Sequence, residues 1–528
     1  MKSKLTSDPG PIRRFLDRWL VPYLPYPHFM SLAPLDVLLR LLYRPFAWIP
    51  VVYWPRLALL IAFSLVGTIV SLPERIALAG WLRFRPTPIP RHQAPIFVLG
   101  YFRSGTTFLQ SLLAADPMLR SPRWGEALFP QAFVIGWTLA RYLLIPFLPL
   151  ARVDEVSPLA PTLPAEDDFA LNNWGLVSIM AGRAVLPRMQ PFYGRFNALD
   201  TLTAAELARW RKYQLRFVEK MLLVTGGRRL LLKSPSHTAR VRYLLDLFPG
   251  AKFVHISRPP IPVFQSNLLL ARTLQGSFGL QFPLPEDEQE EIVADEYLAT
   301  EQHYLADRAL IPAGDVADIR LQDLAADPVG QVQRLYRELG LPFSTVYRAR
   351  LVQMLAGPDQ RPPNVHPELT AAQKARAARL EPLAAAFGHD QGPIARVAPP
   401  ILAEQPRDVW AGAVRGIMAA VVCLAIWYVF DRWLGRDTAI LAWPTGVAIG
   451  YAVLGAETSR SPLMGALAAV LAIAALFALM AAYAMTAGYP VDFHLVSLVA
   501  TDIATTDAIF WGAVGAFIAY WIASGRPA

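Results

Sequence analysis

Residues 94–115 read APIFVLGYFRSGTTFLQSLLAA. The apolar run Ala94–Leu99 predicts a short strand buried on both faces, as in a parallel sheet. Gly100 and Gly105 punctuate its end, and Thr106–Ala115 reads as a helix. Strand, glycine-bounded loop and helix, in that order, form the setting in which backbone N–H groups and a helix N-terminus hold phosphate. The G-x4-G spacing of Gly100 and Gly105 matches the opening of a Walker A loop. The Lys that should follow the second Gly is replaced by Thr106, and Arg103 puts a cation inside the loop instead. A P-loop kinase or NTPase would need that Lys at the β/γ-phosphates and stands as an alternative reading. A plain Gly turn before a helix is the bland one.

The same alternation continues on both sides of this unit. Arg229–Leu232, Lys252–Ile256 and Val316–Leu321 read as further buried strands, while Ser236–Phe248, Val263–Leu274 and Pro328–Leu339 read as helices. Strands alternating with helices predict an α/β fold, a P-loop-like parallel sheet flanked by helices. The acidic run Pro285–Asp295 reads as the solvated start of another helix.

Two of these strands end in cations. Lys233 closes LLLKSPSHT at the C-terminal edge, where open α/β sheets bind ligands. Arg258 leaves strand Lys252–Ile256, and Ser266 follows two turns into the next helix. An Arg with a Ser can grip a phosphate through charge-assisted hydrogen bonds. Two phosphate cradles on neighbouring strand ends imply a nucleotide phosphorylated at both ends of its ribose.

With FRSGTTFLQSLL, LLLKSPSHTARVRYLLDLFPGAKFVHISR and FVHISRPPIPVFQSN in place, the chain resembles the PAPS-dependent sulfotransferases (PAPS, 3′-phosphoadenylyl sulfate), in particular bacterial members with a KSP motif. SPLAPTLPAEDDFAL and IRLQDLAADP resemble two further stretches of those enzymes, and the likeness runs over about residues 50–395. The resemblance implies the sulfotransferase fold, PAPS as co-substrate, PAP as product and no metal. It implies that Arg103, Ser104, Gly105, Thr106 and Thr107 cradle the 5′-phosphosulfate. Lys233 would stabilise the leaving phosphate, and Arg258 and Ser266, which keep the family's Arg-x7-Ser spacing, would bind the 3′-phosphate. One departure is Pro259-Pro260, where the family carries Asp-Pro. An inactive, membrane-bound binding module is the reading that departure supports.

Sulfuryl transfer to a hydroxyl requires the acceptor's proton to leave, so a base is useful. Glu126 lies where tyrosylprotein sulfotransferases carry theirs, and His237 stands four residues after Lys233 with a side chain suited to proton transfer. Either is a candidate. His255, inside a strand, reads as a core histidine; Glu166, Asp167 and Asp168 read as caps of a helix after Pro164 or as lining of the acceptor cleft.

Composition sets the surroundings. Of 528 residues, 54% are apolar and 17% charged, against about 25% charged in soluble domains. Disorder is excluded, and a wholly soluble chain is disfavoured. The lone Cys423 excludes internal disulfides and Cys-rich zinc sites. The overall charge is +9, and residues 1–90 carry 11 Lys or Arg against 4 Asp or Glu, interleaved with Leu, Trp and Pro. That pattern points to anionic lipid and away from nucleic acid.

Three regions follow: a basic apolar N-terminal segment at 1–90 that associates with the membrane, a sulfotransferase domain at 91–400, and an all-α transmembrane bundle at 401–528. The bundle's four apolar stretches, about 411–430, 438–456, 462–487 and 503–523, are each near the ~20 residues a spanning helix needs. Near the N-terminus, Trp48–Leu72 is interrupted by Pro50, Pro55 and Arg56; its clean part, Leu57–Leu72, is 16 residues and reads as a helix lying in the leaflet, with a short span as the alternative. The connection Tyr489–Asp502 has no Lys or Arg and reads as outside, although Arg432 and Arg436 would then also fall outside. The expectation is an integral protein of a bacterial inner membrane with its catalytic domain in the cytoplasm, acting on a lipid- or glycan-linked hydroxyl.

Overall fold

The computed structural model describes residues 28–44, 47–80, 89–135, 163–356 and 368–389, and scattered positions between 416 and 520. The chain divides into two compact units, one holding the described residues 28–389 and the other those from 416 onward.

In the first unit the elements used below are α1 (Leu35–Leu42), α2 (Trp54–Ala77), β1 (Ile96–Leu99), α3 (Thr106–Ala114), β2 (Leu119–Arg120), α4 (Trp124–Leu128), α5 (Asp168–Gly175), α6 (Ala204–Thr225), β3 (Arg229–Lys233), α7 (Val241–Leu247), β4 (Lys252–Ser257), α8 (Pro260–Phe278), α9 (Glu286–Asp307), β5 (Val316–Arg320) and α10 (Pro328–Glu338). The five strands form one parallel sheet in the order β2-β3-β1-β4-β5. The central strand β1 is buried throughout and packs both ways. Ile96 and Val98 join Leu109, Leu112 and Leu113 of α3 and Val332 and Leu335 of α10 in one core. On the other face Phe97 stacks on Phe253 and meets the edge of the His237 ring. Each fully buried Leu, Ile or Val contributes about 1.5–3 kcal/mol, so two packed faces fix β1 firmly.

The order matters for the site. β3 and β4 flank β1, with Val98 opposite Lys233 on one side and Leu99 opposite His255 on the other. The three strand ends that carry Lys233, the 100–105 loop and Arg258 are therefore adjacent, at the edge where open α/β sheets bind ligands.

The structure alters several sequence expectations. The helix expected at Ser236–Phe248 is a 3-10 stretch, Pro235–Arg240, followed by α7. α8 begins three residues before Val263, with Pro259 as N-cap and Pro260 in its first turn, where the missing N–H costs no bond. The Pro pair thus opens the helix without harming it, and the feature behind the inactive reading loses its force. The acidic run does start a helix, α9, but only partly faces water: Glu290 is buried and bonds Gln373 and Arg376.

The N-terminal apolar segment is one helix longer than the sequence implies. Pro55 sits in the first turn of α2, and the helix continues through Pro73 to Ala77. Among the described residues, 51–77 is the one helical stretch long and apolar enough to cross a bilayer. Its amphipathicity is inverted. Arg56, Ser64, Gly67, Ser71 and Glu74 are buried, while Trp54, Ile61, Leu65, Ile69, Leu72 and Ile76 are exposed. Arg56 donates to the carbonyls of Gly276 (3.2 Å) and Gly279 (2.7 Å), and Glu74 pairs with the buried Lys220. A Cβ on Gly67 would lie 2.4 Å from the Leu32 carbonyl oxygen, so glycine permits the close crossing there.

In the second unit, described positions in each of the four expected C-terminal stretches are helical. Ala420, Ile449, Val453, Ala468, Ala472, Ala475 and Ala519 form one buried cluster among them. A Cβ on Gly446 would meet the Gly515 carbonyl, which marks a tight helix crossing. The full lengths of these stretches, and the connection Tyr489–Asp502, lie outside the described residues.

Candidate active site

The loop after β1 is shaped by three residues in the left-handed region: Gly100 (φ 133°), Arg103 (φ 68°) and Gly105 (φ 105°). A Cβ on Gly100 would fall 2.5 Å from the Ile256 carbonyl oxygen, so only glycine fits between β1 and β4. Arg103 has no such excuse, and a non-glycine residue there costs on the order of 1–2 kcal/mol. Such strain persists where surrounding bonds over-determine it. Here Gly100 N–H donates to Thr238 Oγ1 (2.7 Å), Tyr101 N–H to Glu301 Oε1 (3.0 Å), and Ser104 N–H and Oγ both to the Tyr101 carbonyl. Gly105 is the N-cap of α3, so Thr106 and Thr107 are its first two residues.

The strained backbone aims Arg103 toward the neighbouring strand end. Its Nε donates to Ser266 Oγ at 2.8 Å, and Arg258 Nη1 donates to its carbonyl at 3.3 Å. Arg103, Arg258 and Ser266 thus form one group, where the sequence reading had divided them between two cradles. Burial lowers the Arg258 pKa, and the nearby Arg103 charge lowers it further. Two half-buried guanidinium groups, near enough for one charge to lower the other's pKa, suit an anion beside them. Asn267, not singled out by sequence, pins the arrangement: its Nδ2 donates to the Phe102 carbonyl (2.8 Å) and its Oδ1 accepts from Arg183 (3.1 Å). The only signal was its place beside Ser266.

Lys233 ends β3 fully buried, with Nζ 2.5 Å from Glu166 Oε1 and 3.5 Å from Thr107 Oγ1. It is the first of three matched pairs. His237 Nε2 lies 2.9 Å from Asp167 Oδ2, and Arg240 Nη1 lies 2.8 Å from Asp168 Oδ1. α5 does start at Asp168, yet neither Asp167 nor its neighbours cap it with a side chain. The run Glu166-Asp167-Asp168 instead pairs one to one with Lys233, His237 and Arg240. Burial would raise the Asp167 carboxyl, but the His237 charge and hydrogen bonds outweigh it and hold it below the usual carboxylate range.

The two sequence candidates for the base are both engaged elsewhere. Glu126 pairs with Arg120 through Oε1 and accepts the Arg123 N–H at Oε2 (2.7 Å), forming the capping box of α4. Burial nonetheless raises its pKa above the ordinary value. His237 is wholly buried between Asp167 and the Phe97 ring. His255 is buried as expected, with Nε2 3.0 Å from Glu301 and its ring stacked on Tyr304. Burial would lower its pKa, but Glu301 and Asp318 raise it to about 9. Among the described residues no cluster of His, Cys, Asp or Glu could hold a metal.

Comparison with known proteins gives three results. Residues 95–345 match the model of the sulfotransferase family. The chain is 31% identical over 322 residues to the omega-hydroxy-beta-dihydromenaquinone-9 sulfotransferase Stf3 of Mycobacterium bovis, covering 61% of this chain and 81% of that protein; the protein of the same name from Mycobacterium tuberculosis aligns with the same figures. Among solved structures, the sulfotransferase STF9 from Mycobacterium avium is 20% identical, spans 69% of this chain and 98% of its own, and superposes with a TM-score of 0.48.

Proposed function

From the premise that this chain belongs to the sulfotransferase family, we propose that it moves a sulfuryl group from PAPS to a hydroxyl on a lipid-like acceptor at a membrane surface. The observation that carries the donor assignment is the convergence of Lys233, Arg103 and Arg258 on three adjacent strand ends. These cations, with Ser266 and the N-terminus of α3, suit an anion charged at both ends.

In this reading Ser104, Gly105, Thr106 and Thr107 present the loop and helix N-terminus to the 5′-phosphosulfate. Arg103 serves both ends, since it already reaches Ser266. Arg258 and Ser266 hold the 3′-phosphate. Lys233 offsets charge on the leaving phosphate. PAPS supplies the activated sulfuryl group, and PAP leaves. Positioning and charge stabilisation carry such a transfer, by analogy with phosphoryl transfer, and the cations present can supply the positive charge.

The acceptor assignment draws on the mycobacterial relatives, which are named for an omega-hydroxy menaquinone derivative. It also draws on the exposed apolar face of α2 and on the four C-terminal stretches, which we read as membrane spans of an inner-membrane protein with its catalytic unit in the cytoplasm. The test is to incubate the full chain in detergent with radiosulfur-labelled PAPS and a lipid extract of the source membrane. Label should pass to a species that partitions into organic solvent. Label confined to water-soluble glycans or peptides would refute the lipid-like acceptor.

A further inference from the structure

We propose that Glu166, and neither Glu126 nor His237, is the base that takes the acceptor's hydroxyl proton, and that its ion pair with Lys233 couples that role to the donor. This rests on the sulfotransferase reading with PAPS as donor.

Position carries the argument. Glu166 Oε1 touches Lys233 Nζ, which in turn reaches Thr107 of the phosphate loop. One side chain therefore separates this carboxylate from the cradle where the transfer takes place. Its backbone is fixed to the same loop's helix. Gln110 of α3 donates to the Ala165 carbonyl (3.1 Å), Ala165 N–H donates to the Pro122 carbonyl (2.8 Å), and Pro164 bridges to Arg123. A base must hold its position to this degree to be useful.

Accessibility separates Glu166 from its neighbours. The side chain keeps 11% of its surface open, whereas Asp167 and His237 keep none and Lys233 keeps 1%. Glu126 has a similar opening, but it bonds Arg120 and the N-terminus of α4, whereas Glu166 bonds the lysine at the cradle.

The chemistry follows from the pairing. The acceptor oxygen bonds to sulfur as the bond between sulfur and the bridging oxygen breaks, and that electron pair stays on the 5′-phosphate of PAP. The hydroxyl proton passes to the Glu166 carboxylate and from there to solvent. Lys233 stands between the two events. As its ammonium turns toward the leaving phosphate, the Glu166 carboxylate is released to take the proton. A carboxylate paired to Lys233 before the transfer is thus freed when the donor engages that lysine.

Glu166→Gln keeps the shape and removes the charge. In the full chain, with labelled PAPS and the lipid extract, kcat should fall about a hundredfold or more. PAP affinity by calorimetry should stay the same or tighten, because Lys233 is released to the phosphate. Glu166→Asp should be intermediate, formate should restore part of the activity of Glu166→Ala, and the acid limb of kcat/KM should vanish in Glu166→Gln. A Glu166→Gln enzyme with wild-type kcat overturns the proposal. So does a parallel loss of PAP affinity, which would make Glu166 a positioning residue for Lys233. Wild-type protein that binds no PAP would indict the donor instead, a result separable from both.

Discussion

Arg103 Nε donates to Ser266 Oγ at 2.8 Å across 163 residues of sequence. The bond ties the loop after β1 to the helix after β4, so the two ends of the proposed donor site are mechanically one. Replacing either residue should therefore disturb both. Arg258→Ala should weaken PAP by about 1.5–3 kcal/mol, the usual loss for a charged hydrogen bond. Arg103→Ala should weaken it as well. A double-mutant cycle of Arg103→Ala with Ser266→Ala, read by calorimetry, should show a coupling energy above the noise. Strict additivity would mean that the contact does not organise the site.

Lys233→Ala should act on rate more than on affinity. Its ammonium is held by Glu166 and Thr107, and in the proposed reaction it meets the charge that develops on the leaving phosphate. Removing one such stabilising group costs about 10²–10³ in kcat. PAP affinity should change far less. Single-turnover kinetics with labelled PAPS measures the first and calorimetry the second; a variant that loses only affinity contradicts the assignment.

Glu126→Gln should damage stability and spare the donor site. Arg120 would stay buried without its counter-charge, and breaking such a pair costs about 3–5 kcal/mol. The melting temperature should fall while PAP still binds. A stable variant that has lost transfer would return Glu126 to the list of bases.

Much of this was readable along the chain, and the remainder shows what sequence spacing cannot carry. Four of the five strands were visible as short runs between turns; β1, β3 and β4 are buried on nearly every residue, as central parallel strands are, whereas the edge strand β5 is buried on alternate residues. β2 was not, since the two residues Leu119–Arg120 have no period to detect. α6 carried its own signals, a Thr203–Glu206 capping box and Gly226 in the left-handed region, but its mixed charge hid a buried face. Pro50, Pro55 and Arg56 read as breaks, yet Pro55 sits in the first turn of α2 and Arg56 turns inward from it to bond the Gly279 carbonyl. The site's cations could be placed because each follows a strand. Their carboxylate partners could not: Glu166 lies 67 residues from Lys233, and only the fold brings the two runs together.

His255 makes stability depend on alkaline pH. The imidazolium bridges Glu301 of α9 and Asp318 of β5, and Arg308 also bonds Asp318. Its folded pKa, about 9, exceeds the free value of 6.5. A raised pKa means that the folded state holds the proton more tightly. The contribution is therefore complete below about 6.5 and is lost as pH rises through about 9. The loss is on the order of 3 kcal/mol. Melting temperatures of the full chain should fall across this window, and His255→Gln should flatten the slope. An unchanged slope in the variant would remove His255 as the cause.

α2 should lie along the membrane surface even though it is long enough to cross. A spanning helix must leave the body of the protein, but α2 is bonded to it from end to end. Arg56 reaches the end of α8, Thr68 accepts the Leu35 N–H at 2.8 Å, and Glu74 accepts the Val134 and Ile135 N–H groups at 2.8 Å besides pairing with Lys220. Pulling the helix out would strand Glu74 and Lys220, both 1% exposed. What remains outward is Trp54, Ile61, Leu65, Ile69, Leu72 and Ile76, an apolar face with no polar residue to deter lipid. The two arrangements differ in depth. From Ile61 to Ile76 a spanning helix would descend about 20 Å, at 1.5 Å per residue. An in-plane helix would hold every position at roughly 5–10 Å below the head groups. Cys423→Ala removes the single native thiol, so nitroxides can be attached to cysteines at Ile61, Leu65, Ile69, Leu72 and Ile76 in turn. Oxygen and nickel-chelate accessibilities of the full chain in bilayers should report one shallow depth for all five. A steady gradient along the series would make α2 a span, and the polar bonds of its inner face would then need another explanation.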